Sequence, residues 1–344
     1  MEVVAYLKNM KYVKYLDKRL EVKKVYPFIN AVGAECKEGY FEKIKKLPYI
    51  EGLFFNARVT ALEESRSEVE DLAGRAPRIY NGRGVGVCIM DTGISAHTDF
   101  LCPVSRVAAF KDIYGGSDTV YDDNGHGSFV AGIACGNGLA SGRKIKGGAP
   151  AGKIIGVKVM GAQGECGVFD VLDGMQWVMN NRDKYNIRVV CMSFGSTPSE
   201  SGEDPLERGA ESLVRGGITV VCAAGNSGKG KLKSPATSPS VISVGAVNDE
   251  YEEASFSSSG QSHGTDKPEF YAKGVKVKSV MNDGRYGEMS GTSAAAPCVA
   301  GAAALVIQKH PYFLPWQVKQ FLYKVAIKEG NKYIIDCDKL AKVL

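Results

Sequence analysis

Short, almost unbroken apolar runs recur along the chain at residues 84–90, 153–160, 188–193 and 218–224. Each is too short for a helix and rich in β-branched residues, which predicts strands buried on both faces, as in a parallel sheet. Between them, residues 168–182 read as a helix that packs through Leu172, Met175, Trp177 and Met179, and a further helix is expected around residues 204–215. Strands alternating with helices predict an α/β fold, doubly wound, with a mostly parallel sheet and helices on both faces. The alanine-rich stretch 294–310 is apolar nearly all round and predicts a central, buried helix. Pro297 is compatible with it, because the first turn has N–H groups without intrahelical partners. The helical pattern restarts after Pro311, and no internal repeat is present.

The N-terminal part follows another pattern. Residues 22–34 are rich in β-formers without clean alternation, 39–47 predict a short amphipathic helix, and 50–62 predict a strand. Together they suggest a small α+β module. Residues 63–72 are polar and lack helix breakers, which suggests an exposed connector. Two units are therefore expected, 1–62 and 63–344. The 344 residues suffice for one large α/β domain and a small second one.

Charge sharpens that division. The formal net charge is +5, and residues 1–62 hold 12 Lys/Arg against 7 Asp/Glu, so the remainder is formally neutral. A neutral body argues against a nucleic-acid partner. No run approaches the roughly 20 apolar residues of a membrane span, so no membrane partner is expected. The first residues carry no signal-peptide pattern, which predicts a cytoplasmic protein. The nine cysteines are odd in number, contain no Cys-x-x-Cys pair, and include Cys88, Cys191 and Cys222 inside apolar runs. Such usage fits a reducing compartment. Cys166, in a glycine-rich segment, is the candidate redox-sensitive thiol.

Candidate chemistry starts at Ser293, which follows Gly291-Thr292 and leads into the alanine-rich run. That position is a helix N-terminus, where N–H groups and the dipole favour negative charge. A serine there is either an N-cap or a nucleophile beside an oxyanion. A nucleophilic serine needs a histidine and a carboxylate. Of four histidines, His97 sits in a polar loop, His263 in a Ser/Gly stretch and His310 before a proline; His126 opens an apolar helix between Gly125 and Gly127. Those glycines suggest close approach of a substrate or partner backbone. Asp91 ends the first apolar run, at the carboxyl end of a strand, where α/β sheets carry their sites.

The order Asp91, His126, Ser293 is that of subtilisin and not that of the α/β-hydrolases. With Asp-Thr-Gly at 91–93, Gly-His-Gly at 125–127, Gly-Thr-Ser-Ala-Ala-Ala-Pro at 291–297 and Ala-Ala-Gly-Asn at 223–226, the chain resembles the subtilisin-like serine proteases over roughly residues 80–310. The resemblance implies an endopeptidase in which Ser293 attacks, His126 moves the proton and Asp91 orients the ring. Asn226, which ends the run 218–224, is then the oxyanion donor, with the Ser293 N–H as second donor. It further implies that residues 1–62 are an inhibitory prodomain, ferredoxin-like in fold, cut off by the enzyme itself. The cut is expected between Arg58 and Arg66, with Thr60, Ala61 and Leu62 next to Ser293.

By the same resemblance a peptide or protein substrate pairs with two extended segments, Gly164, Glu165, Cys166, Gly167 and Ser193, Phe194, Gly195. The second of these, with Ala223, Ala224 and Gly225, walls the pocket for the residue before the cut, expected to be apolar or aromatic. Phe194 has an alternative place in the core. No cofactor is required, but calcium is frequent in the family, and Asp99 matches one ligand. The companion loop does not match, since Arg143, Lys144 and Lys146 are poor neighbours for a cation that wants oxygens. A second departure is Glu-Phe-Tyr-Ala-Lys-Gly at 269–274, where relatives have Ala-Pro-Gly. Two other functions stay open: a catalytically silent binding protein, which the intact triad opposes, and a processing protease dedicated to one peptide.

Overall fold

The computed structural model describes residues 1–16, 20–68, 79–117, 119–199 and 204–344, with residues 66–68 described by backbone only. The larger body is built on a nine-stranded sheet. From edge to edge its order is Ile327–Glu329, Lys332–Ile334, Phe270–Lys273, Ile242–Val247, Thr219–Ala223, Ile187–Met192, Gly86–Asp91, Lys153–Lys158 and Val107–Asp112. Every neighbouring pair is parallel except the first.

The apolar runs are continuous because both faces of this sheet are covered. Val87, Ile89, Val189, Cys191, Val221 and Ala223 face one apolar core, which holds the helices His126–Cys135 and Thr292–Lys309. Their neighbours Cys88, Met90, Val190, Met192, Val220 and Cys222 face a second core, with the helices Val168–Tyr185 and Pro205–Arg215. Alternation of side chains along each strand thus feeds two layers. From Gly86–Asp91 the chain steps outward to Val107–Asp112 and Lys153–Lys158, then crosses to Ile187–Met192 on the other side. The carboxyl ends of strands flanking such a reversal form a crevice.

The N-terminal module is an antiparallel sheet in the order Leu20–Tyr26, Ala31–Cys36, Glu2–Leu7, Ile50–Phe55. It has the ferredoxin-like strand order, with a 3-10 turn at Met10–Tyr15 and a short helix, Phe41–Lys45, in its crossovers. Val3, Ala5 and Leu7 build its own core with Ile44. Val4 and Tyr6, pointing the other way, join the core beneath the helices Val168–Tyr185 and Pro205–Arg215.

One expectation is corrected here and another refined. The strand expected over 50–62 is two strands, Ile50–Phe55 in the module and Arg58–Ala61 in the crevice. The break falls at Asn56 and Ala57, which turn aside to bond the start of the helix Val168–Tyr185: Phe169 N–H donates to Asn56 Oδ1 (2.9 Å) and Val168 N–H to Ala57 O (3.1 Å). The connector after Leu62 is exposed at Glu63, Glu64 and Ser65, as expected, and is also strand-paired. Ser65–Glu68 pairs antiparallel with Tyr286–Ser290, whose edge offers unsatisfied backbone groups. Residues 69–72 of that connector lie outside the described residues.

Candidate active site

Asp91 and His126 meet at the carboxyl end of the strand Gly86–Asp91. His126 Nδ1 lies 2.7 Å from Asp91 Oδ1, and both side chains are about 1% exposed. Asp91 Oδ1 also accepts the Thr92 N–H (2.7 Å). On the far side of the ring, His126 Nε2 is buried without a hydrogen-bond partner among the described residues. Burial by itself would lower the His126 pKa; the charge and hydrogen bond of Asp91, with Glu63 and Asp122 behind, outweigh it and leave the pKa raised. The ring is therefore oriented by a carboxylate at one nitrogen and open to a proton at the other.

Three residues not expected from the sequence hold this pair. Asp122, buried, accepts from Thr92 Oγ1 (2.9 Å), from the N–H groups of Gly125 (2.8 Å) and Ser128 (2.8 Å), and from Ser128 Oγ (2.7 Å). It satisfies the first N–H groups of the His126 helix, which Gly125 as N-cap cannot do. Thr92 Oγ1 in turn accepts the Gly127 N–H (2.9 Å). Buried Lys158 donates to Thr92 O (2.5 Å), Met160 O (2.7 Å) and Asp123 Oδ1 (2.6 Å). The sequence signal for Lys158 is a lysine ending an apolar strand opposite Asp91. The close approach expected at Gly127 is made by the Asp91-Thr92-Gly93 turn and not by a substrate: a Cβ there would lie 2.2 Å from Gly93 O.

Ser293 is not an N-cap. That position belongs to Gly291, and Ser293 is the second residue of the helix Thr292–Lys309, so its N–H is among those without an intrahelical acceptor. This helix packs against the His126 helix. Asn226, three residues beyond the strand Thr219–Ala223, accepts the Thr292 N–H (2.9 Å) and Thr292 Oγ1 (2.8 Å) at its Oδ1. With the oxygen so engaged, its Nδ2 is turned to donate to the Leu62 carbonyl (3.0 Å). Gly291 shows how tight the meeting is: a Cβ there would lie 2.7 Å from Leu62 O, 3.0 Å from Ser293 Oγ and 3.1 Å from Asn226 Nδ2. Any other residue would fill the space in which these three atoms converge.

The chain runs through the crevice on both sides of that carbonyl. Arg58–Ala61 is the middle strand of a three-stranded antiparallel sheet, opposite Glu165–Gly167 on one rim and Phe194–Gly195 on the other. Thr60 pairs with Glu165, Val59 with Cys166, Arg58 with Gly167, and Ala61 with Phe194. Ala61 N–H donates to Gly164 O (2.9 Å), and Leu62 N–H to Ser193 O (3.1 Å). Beyond, Glu64 N–H donates to Ser290 O (2.7 Å). The two rims expected to bind extended peptide thus hold one, and it is the protein's own. Leu62 is buried and joins the core that contains Ala223.

Other expected positions serve the scaffold. Phe194 contributes backbone to the rim but its side chain lies in the core. Ala224 and Gly225 spend backbone bonds on Val244, Lys233, Ser258 and Thr292 Oγ1. Burial pushes the Cys166 thiol well above its ordinary pKa, opposing the thiolate that redox sensitivity requires. His97 is buried, not in a polar loop: it caps the turn Thr98–Leu101 through Asp99 N–H (3.1 Å) and sits 3.1 Å from Gly284 O. Asp99 is buried, and both its oxygens accept hydrogen bonds, Oδ1 from Ala140 N–H (2.9 Å) and Oδ2 from Tyr286 OH (2.8 Å). The Arg106 guanidinium donates to Asp99 O and to Cys135 O (2.7 Å). This donor-rich set does not fit a calcium ion.

Comparison with known proteins agrees with the fold. The family model described as the Subtilase family matches residues 82–336. The serine protease AprX of Bacillus subtilis (strain 168) is 34% identical over 339 residues, covering 89% of this chain and 76% of the relative. Subtilisin Savinase of Lederbergia lenta is 36% identical over 261 residues, 75% of this chain and 90% of the relative. Among solved structures, a cold adapted subtilisin-like serine proteinase aligns with a TM-score of 0.65 at 30% identity, over 75% of this chain and 87% of that one. The chain belongs to the subtilase family and is a subtilisin-like serine protease.

Proposed function

We propose that the protein is a serine endopeptidase made as a zymogen, that Ser293, His126, Asp91 and Asn226 carry its chemistry, and that its first substrate is its own Leu62–Glu63 bond. The observation that carries this reading is the Leu62 carbonyl, held by Asn226 Nδ2 at 3.0 Å on a continuous chain in the crevice. Ser293 Oγ attacks the carbonyl carbon and passes its proton to His126 Nε2. Asp91 stabilises the imidazolium, and Asn226 with the Ser293 N–H takes up the charge on the oxygen. The tetrahedral adduct collapses, His126 protonates the departing Glu63 nitrogen, and water then releases Leu62 from the serine. Other peptides would occupy the same rims, with an apolar side chain where Leu62 lies.

The new carboxyl end remains a good ligand. Its strand keeps the pairing with both rims, and the module stays docked through Tyr26 OH on Phe169 O (3.3 Å), Ser212 Oγ on Phe28 O (2.9 Å) and Arg208 on Glu51 (2.6 Å). Residues 1–62 therefore inhibit until they are degraded. Cysteines buried in both cores support work in a reducing compartment.

Purified wild-type protein is expected to separate by mass into two fragments, the larger beginning at Glu63, and Ser293→Ala to stay intact and inactive. The expected loss is about 10⁶ in kcat, the size known from removing the nucleophile of a subtilisin. A wild-type chain that is active at full length overturns the zymogen reading. A Ser293→Ala protein with activity near wild type overturns the assignment of the nucleophile.

A further inference from the structure

Away from the crevice, a cavity of about 360 Å³ is walled by residues of the His126 helix and the Ser293 helix. Lys144, Lys146, Lys273, Lys276 and Lys278 line it, and among the described residues no Asp or Glu does. Lys273 also pairs with Asp249 (2.5 Å) outside the lining. Cys298 and Cys337 complete the wall, with their sulfurs 3.5 Å apart. Cys298 stands on the helix Thr292–Lys309, and Cys337 begins the chain's last helix, Cys337–Val343. The Cys337 thiol donates to Cys298 O (3.0 Å), which keeps its sulfur turned to the partner helix. Cys298 is the more accessible of the two. Cys337 belongs to the first apolar core and Cys298 packs against it, so packing accounts for their burial; it does not account for two sulfurs meeting at the wall of a lysine-lined cavity.

We propose that Cys298 and Cys337 form a thiol–disulfide site whose oxidants are anionic low-molecular-weight disulfides, drawn in by the five lysines. The Cys298 thiolate attacks one sulfur of the small disulfide, forming a mixed disulfide and expelling one small thiolate. The Cys337 thiolate then attacks Cys298 Sγ, forming the internal disulfide and expelling the second. Two protein thiols lose two electrons and two protons, and the small disulfide gains them as two thiols. The product ties the last helix to the helix that carries Ser293. The lysines contribute by raising the local concentration of anions.

The test exposes Ser293→Ala protein, which does not digest itself, to oxidised glutathione or to the cationic disulfide cystamine, followed by peptide mapping. With oxidised glutathione, the expected product is a peptide holding 298 joined to one holding 337, lighter by the two thiol hydrogens. Cystamine at low salt should act at least about tenfold more slowly, and added salt should narrow the gap. Cys337→Ser should stop at a glutathione adduct on Cys298. If that variant fails to fold, the comparison of the two reagents still decides. Thiols that both remain alkylatable, a wild-type reaction that stops at the mixed disulfide, or cystamine acting as fast as glutathione would each overturn the proposal.

Discussion

His126 must be neutral to take a proton and is stabilised once it has one, and its surroundings favour the second state. Its raised pKa works against burial through Asp91 first and Glu63 after it. The sign is definite. In the folded protein the protonated ring contributes stability below its ordinary pKa near 6.5, lost as pH rises through the raised value; the base needed for cleavage appears only above that value. In the proposed cleavage between Leu62 and Glu63, the Glu63 charge on the leaving side would restrain self-cleavage. In Glu63→Gln the rate of self-cleavage should begin to rise at a lower pH than in wild type, read from fragment formation across a pH series; an unchanged profile refutes this. Thr292 is the other residue with a separable role, because it fixes which end of the Asn226 amide faces the carbonyl. Thr292→Val removes the hydroxyl while keeping the shape, and kcat should fall about tenfold with KM little changed, as for one lost hydrogen bond aimed at the transition state. A raised KM at constant kcat would contradict that role.

At the scale of elements, the helix Val168–Tyr185 begins with Gly167, which has no side chain to cap it, and borrows Asn56 and Ala57 instead. The module is thus a cap for a helix of the catalytic body as well as a plug for its crevice. Asn56→Ala should weaken inhibition by separately added residues 1–62 about five- to tenfold, the value of one N-cap, and leave the activity of the processed enzyme unchanged. Equal inhibition by both peptides would show that the cap adds nothing to binding. The same contact explains why the strand expected over 50–62 breaks. Residue pattern favours extended backbone throughout, and nothing local says that one half pairs in its own module and the other half with a strand of the catalytic body, Thr60 opposite Glu165.

For the whole molecule, we propose that calcium contributes little to stability, because both Asp99 oxygens it would need already accept hydrogen bonds. A chelator should therefore shift Tm by no more than a few degrees; a fall of tens of degrees would refute this. Two cores on opposite faces of one sheet hold the body, and the N-terminal module shares the second of them, so detaching residues 1–62 exposes Val4, Tyr6 and Phe54 together with the surface they cover. That shared burial, more than the partly exposed ion pairs at its edge, keeps the module in place.

The sequence by itself determined the fold class and named the candidate chemical residues. Apolar runs of strand length can be buried only in a sheet covered twice, and Asp91, His126, Ser293 and Asn226 each stand in a short motif whose glycines and small residues are local requirements. The structure alone decided what those residues face. Asp122, Thr92, Lys158 and Thr292 are ordinary polar residues in the sequence, and the bonds that join Thr92 to Asp122, Lys158 to Thr92 and Thr292 to Asn226 span 30 to 66 residues. Hydrogen bonds of that reach depend on how strands and helices are set against one another, which no local pattern encodes. The Leu62 carbonyl is the clearest case: proximity to Ser293 could be expected from the sequence, but its seat on Asn226 depends on a strand trapped between two rims that only the tertiary fold brings together.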